Sequence, residues 1–84
     1  MRVNRESTGG FMKHNIEIGE WLRIKREDSG FTQTYVAEKM GVSRSAVYLW
    51  EAGKRKMYAD TLFEFCDVVG ANPQDLVDYV YKKH

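Results

Sequence analysis

Arg44, Ser45, Tyr48 and Leu49 are the side chains in this sequence best suited to recognising another molecule. Winding the stretch from Arg44 to Ala52 as a helix, at ~100° per residue, puts Val47 and Trp50 within about 60° of each other on an inward face. Ala46 lies on the edge of that face. Ser45, Tyr48 and Leu49 then point away from it, and Arg44 flanks it at the N-terminal end. A helix needed only for a core has little reason to leave Tyr48 and Leu49 outside. The chemistry on offer is hydrogen bonding, apolar contact and charge, which suits a surface that reads a partner. Charge points the same way. From Gly41 to Met57, Arg44, Lys54, Arg55 and Lys56 stand against Glu51, a local excess of three positive charges. From Tyr58 onward the acids exceed the bases by three, so the domain is dipolar and would present one face to a polyanion.

Catalytic chemistry finds no comparable support. His14 and His84 have no cysteine or carboxylate at metal-ligand spacing, and no glycine-rich phosphate loop follows a strand. No metal, cofactor or enzymatic activity is expected. Cys66 is the only cysteine, so it forms no internal disulfide. It falls on an apolar helix face, where it acts as a small hydrophobe.

The elements that must hold these residues are short helices. Val36, Ala37 and Met40 fall on one face of a helix from Gln33 to Met40, with Thr32 as its N-cap. Gly41 can take the left-handed conformation that ends it. Val42 closes the turn inward, and Ser43 caps the next helix, a spacing that predicts a helix-turn-helix over Thr32–Gly53. Before it, Ile16 to about Asp28 reads as a helix with Ile18, Trp21, Leu22 and the stem of Lys25 inward, stopped by Gly30. After the loop Gly53-Lys54-Arg55-Lys56, Leu62, Phe65, Cys66 and Val69 define a helix over Asp60–Val69. Asn72-Pro73-Gln74-Asp75 starts a fifth, which carries Leu76, Val77, Tyr79 and Val80 towards Lys82 and Lys83. No stretch alternates with a strand's period. The expected class is all-α, five short helices.

The 84 residues, with a net charge of +1, suffice for one domain with a modest core. Residues 1–15 lack apolar periodicity and contain Ser7-Thr8-Gly9-Gly10, so they are expected as a flexible N-terminal arm before a domain over 16–84. Arg2, Arg5 and Lys13 make the arm mildly basic. No apolar run approaches the ~20 residues of a membrane span, and Phe11-Met12 is no signal-peptide core. A cytoplasmic location is expected.

The set Leu22-Arg23, Arg26, Thr32-Gln33, Ala37, Gly41-Val42-Ser43, Val47, Trp50-Glu51, Gly53, Leu62 and Gly70-Ala71-Asn72-Pro73 resembles the Xre-type, or lambda-repressor-like, helix-turn-helix domains of phage repressors. The resemblance covers about Ile16 to Val80 without insertion. It implies a compact five-helix domain whose third helix enters the major groove of double-stranded DNA. Arg44, Ser45, Tyr48 and Leu49 then become the base-reading residues, led by Arg44, whose guanidinium can take guanine O6 and N7 together. The alternatives are that Arg44 touches only phosphate and that Leu49 packs between subunits. Gln33, Thr34 and Ser43 would anchor the phosphate backbone, and Lys54, Arg55 and Lys56 would add salt-dependent affinity. Arg26 and Glu51 resemble the family's partly buried salt bridge.

The resemblance makes the expected function sequence-specific transcription regulation, by a repressor of phage, mobile-element or antitoxin type without a separate effector domain. A homodimer on a palindromic operator is expected, with Tyr79, Val80 and Tyr81 of the fifth helix as the contact surface; the alternative is that they finish the monomer's core. The alternative is a protein-interaction module of the same fold that binds an antirepressor or toxin. The near-neutral charge and the acidic pair Glu27-Asp28 keep it open.

Overall fold

The computed structural model describes the backbone of residues 5–82 and the side chains of residues 14–82. Arg2, Lys83, His84 and the side chains of Arg5 and Lys13 lie outside what it describes. Five helices follow in order: α1 Arg5–Asp28, α2 Gln33–Met40, α3 Arg44–Glu51, α4 Ala59–Val69 and α5 Pro73–Lys82. No strand occurs among the described residues. None of these helices is long and apolar enough to cross a membrane.

α1 is the spine. It packs on α3 and α5, while α2 packs on α3 and α4. Trp21 and Leu22 of α1, Val36 and Ala37 of α2, Val47 of α3, and Phe65 and Cys66 of α4 are buried together at the centre. Leu76 and Val80 of α5, which packs on α1, complete the core. Ala37 of α2 is small and buried in this core, and α2 packs on both α3 and α4.

Local signals set the helix ends. The Thr32 hydroxyl accepts from the Tyr35 amide at 3.0 Å, and the Ser43 hydroxyl accepts from the Ala46 amide at 3.1 Å. Each takes one of the amides that a helix start leaves unpaired. Between them Gly41 has φ 73°, and Val42 N–H donates to the Ala37 carbonyl at 3.0 Å, closing α2. Asn72 Oδ1 accepts from the Gln74 amide at 2.9 Å and starts α5. At the end of α1, the Ser29 hydroxyl donates to the Val69 carbonyl at 2.7 Å, tying that corner to the end of α4.

α1 departs most from the sequence reading. It begins at Arg5 rather than Ile16, so residues 5–15, expected as an arm, form its first turns. Gly9-Gly10 costs roughly 1 kcal/mol per glycine there. No proline interrupts the run, however, so the i→i−4 ladder continues upstream without an apolar face to announce it. At the other end of the chain, Val80 is buried, and the Tyr79 hydroxyl donates to Glu20 Oε1 at 3.1 Å. Val80 thus belongs to the monomer's core and Tyr79 ties α5 to α1, in line with the alternative to a subunit contact that the sequence left open. The exposed apolar groups of α5 are Val77 and Tyr81.

Candidate nucleic-acid interface

The inner side of α3, Ala46, Val47 and Trp50, is buried. Arg44 and Ser45 are exposed, and Tyr48 is 47% exposed. Leu49, expected to point fully outward, is half-buried. It lies three residues past buried Ala46, ~60° from it around the helix, and so flanks the inward face.

Arg26 Nε donates to Glu51 Oε2 at 2.7 Å, and its Nη2 donates to Glu51 Oε1 at 3.0 Å. The guanidinium thus grips both carboxylate oxygens across α1 and α3. Its Nη1 donates to the Phe31 carbonyl at 2.7 Å, so the fork also holds the loop leading to α2. Both side chains are nearly removed from water. The Glu51 hydrogen bond raises the Arg26 pKa above its ordinary value, against burial, which pulls it down. Glu27, badly placed at the negative end of α1, lies 3.7 Å from Arg23 and 3.9 Å from Arg26.

Gln33 joins this pair to the exposed face. Its Nε2 donates to Glu51 Oε1 at 3.0 Å, and its Oε1 accepts from Arg44 Nη1 at 3.1 Å. A side chain expected only as a phosphate anchor therefore bridges the buried carboxylate and the exposed guanidinium. The residue types carried no signal for that bridge, because it depends on how α2 and α3 cross. At the start of α2, Thr32 takes the Tyr35 amide. Helix geometry leaves the amides of Gln33 and exposed Thr34 to receive an anion. Ser43 accepts from Ala46 and keeps its hydroxyl hydrogen to donate.

Lys54, Arg55 and Lys56 are exposed at the far end of α3 from Arg44, eight residues or roughly 12 Å along the axis. Lys56 Nζ stands 5.7 Å from the centre of the Tyr58 ring, within cation–π range. The loop can leave α3 here because Gly53 adopts φ 72° against α1; a Cβ on it would meet Ile16 Cα at 2.8 Å. Gly19 lies in the adjoining turn of α1. A Cβ there would stand 2.6 Å from the Trp50 carbonyl oxygen and collide with that of Glu51. Sequence reasoning passed over Gly19. Its signal was a glycine inside an amphipathic helix, which marks a close backbone approach.

Among the described residues no three His, Cys, Asp or Glu side chains gather as a metal site. Cys66 is buried, and burial followed by Asp67 raises its thiol pKa.

A family model described as a helix-turn-helix domain matches residues 17–80. Among solved structures, the chain is similar to the clp gene regulator ClgR from Corynebacterium glutamicum in two crystal structures. Both show 27% identity and a TM-score of 0.75 over 79% of this chain, covering 70% and 86% of the ClgR chains. It is also similar to the restriction-modification controller protein C.AhdI from Aeromonas hydrophila. There the identity is 26% and the TM-score 0.69, covering 74% of this chain and 94% of that one. No curated protein matches the sequence.

Proposed function

The chain belongs to the helix-turn-helix domain family, and from that premise we propose that it is a sequence-specific, DNA-binding transcription regulator. α3 enters the major groove, where Arg44, Ser45 and Tyr48 read base edges and Leu49 lines the flank. Gln33, Thr34 and Ser43 meet one stretch of phosphate backbone, and Lys54, Arg55 and Lys56 meet another. The observation that carries this reading is the exposed row Arg44, Ser45, Tyr48 on a helix whose other side is wholly buried. The regulators ClgR and C.AhdI support the same class of function.

The finer reading is a cytoplasmic homodimer on a two-fold symmetric operator, since one α3 reads too few bases to define a site. Val77 and Tyr81, 48% and 71% exposed, border an apolar groove of about 260 Å³ between α1 and α5 that favours a second copy. Sedimentation with and without duplex measures that state.

Selection of bound sites from a random duplex pool, repeated with Arg44→Ala, tests the main reading. It succeeds if a palindrome is enriched and the preference at one base pair of each half-site disappears in the variant. No enrichment at moderate salt would instead favour a protein partner.

A further inference from the structure

The outer side of α3 carries two kinds of chemistry one turn apart. Arg44 and Tyr48 are four residues apart, so they lie within about 40° of each other around the helix and ~6 Å apart along it. Tyr48 falls in the middle of α3, between the start of the helix and the loop at Lys54, whose residues are assigned to phosphates. Its ring is 47% exposed, whereas Leu49 is half-buried and Val47 and Trp50 are buried. Among the side chains of α3, Tyr48 is therefore the large apolar surface that can be carried to the floor of a groove.

What such a ring prefers follows from desolvation. Most of what a base pair shows in the major groove is polar: N7 and O6 of guanine, N7 and N6 of adenine, N4 of cytosine and O4 of thymine. A ring pressed onto these groups removes their water without replacing its hydrogen bonds, which is unfavourable. The C5 methyl of thymine is the apolar exception, and covering it with the ring is favourable.

Resting on the DNA-reading role of α3, we propose that Tyr48 selects a pyrimidine bearing a C5 methyl, about two base pairs from the one that Arg44 reads. The spacing follows from ~6 Å along α3 set against ~3.4 Å per base pair. Arg44 discriminates through charge and hydrogen bonds, and Tyr48 through a contact that one methyl decides.

Thymine and uracil differ only by that methyl, so exchanging them isolates it. Each thymine of the selected duplex is replaced in turn by deoxyuridine, in both half-sites at once. Dissociation constants are measured for wild type, Tyr48→Phe and Tyr48→Ala. At one thymine, about two base pairs from the pair whose preference Arg44→Ala abolishes, loss of the methyl is expected to weaken wild-type binding about fourfold per half-site. Tyr48→Phe keeps the ring and should keep that ratio, and Tyr48→Ala should bring it close to one. With cytosine placed there, 5-methylcytosine should bind tighter than cytosine by a similar factor.

A half-site without thymine at that distance, a ratio near one in the wild type, or a ratio that survives Tyr48→Ala overturns the proposal. Loss of the preference in Tyr48→Phe overturns it too, because the hydroxyl would then be the reading group. An enriched site that still depends on Arg44 keeps the DNA reading even when the methyl has no effect. If the wild type enriches no sequence, that reading fails and this proposal with it. Circular dichroism verifies that the variants are folded, as expected at an exposed helical position where alanine is favourable.

Discussion

Arg26 grips both carboxylate oxygens of Glu51, at 2.7 and 3.0 Å, and binds α1 to the end of α3. Removing one partner strands the other where water hardly reaches, which costs about 3–5 kcal/mol. Glu51→Ala should therefore lower the melting temperature by more than about 10 °C in a domain of this size. An unchanged melt would mean that the two charges are effectively solvated.

Two glycine substitutions should separate clash from backbone strain. Gly19→Ala drives a methyl into the last turn of α3, so overpacking, about 1–3 kcal/mol, outweighs the helix-propensity gain of about 1 kcal/mol. Gly41→Ala meets nothing within 4 Å and carries only the left-handed penalty at φ 73°, about 1–2 kcal/mol. Asparagine tolerates that conformation better. Gly41→Asn should recover much of the loss in urea unfolding, whereas no larger residue should serve at position 19.

These two glycines also show what a sequence displays and what it withholds. Gly41 ends an amphipathic helix immediately before a capping serine, and that local pattern predicts its turn. The same kind of signal yields both caps of the helix-turn-helix, the inward faces of α2 to α4, and the separation of Arg44 and Tyr48 from Val47 and Trp50. Gly19 looks like a weak point in α1 until α3 is laid across it, because its role is a tertiary approach of two backbones. The Gln33 bridge is hidden for the same reason. The early start of α1 is hidden for another, since a helix without an apolar stripe leaves no periodicity to read.

Lys54 and Arg55 lie exposed in the loop after α3, and their contribution to DNA binding should appear in its salt dependence. Each lost phosphate contact reduces the slope of log K against log salt by about 0.9. Lys54→Ala with Arg55→Ala should flatten the slope by up to about 2 and weaken all duplexes by a common factor. A change in sequence preference would place these residues in the groove instead.

Cys66 gives stability a pH dependence of known sign. Burial raises its thiol pKa above the ordinary value of 9.0, so the folded state keeps a proton that the unfolded state releases. The stabilisation is fully present below pH 9.0 and is lost as pH rises through the folded value. Comparing wild type with Cys66→Ala in urea at pH 7, 9 and 10 isolates the effect from lysines and tyrosines. The wild-type advantage should shrink only above pH 9, by at most about 1.4 kcal/mol per pH unit.

Where α1 crosses the end of α3, at Gly19, main chain rests on main chain with no side chain between to shift its rotamer. A reading helix seated this way cannot tilt to follow an awkward groove. Accommodation in the proposed complex passes to the duplex, so binding will favour operators whose pyrimidine–purine steps bend cheaply, even at base pairs the protein never touches.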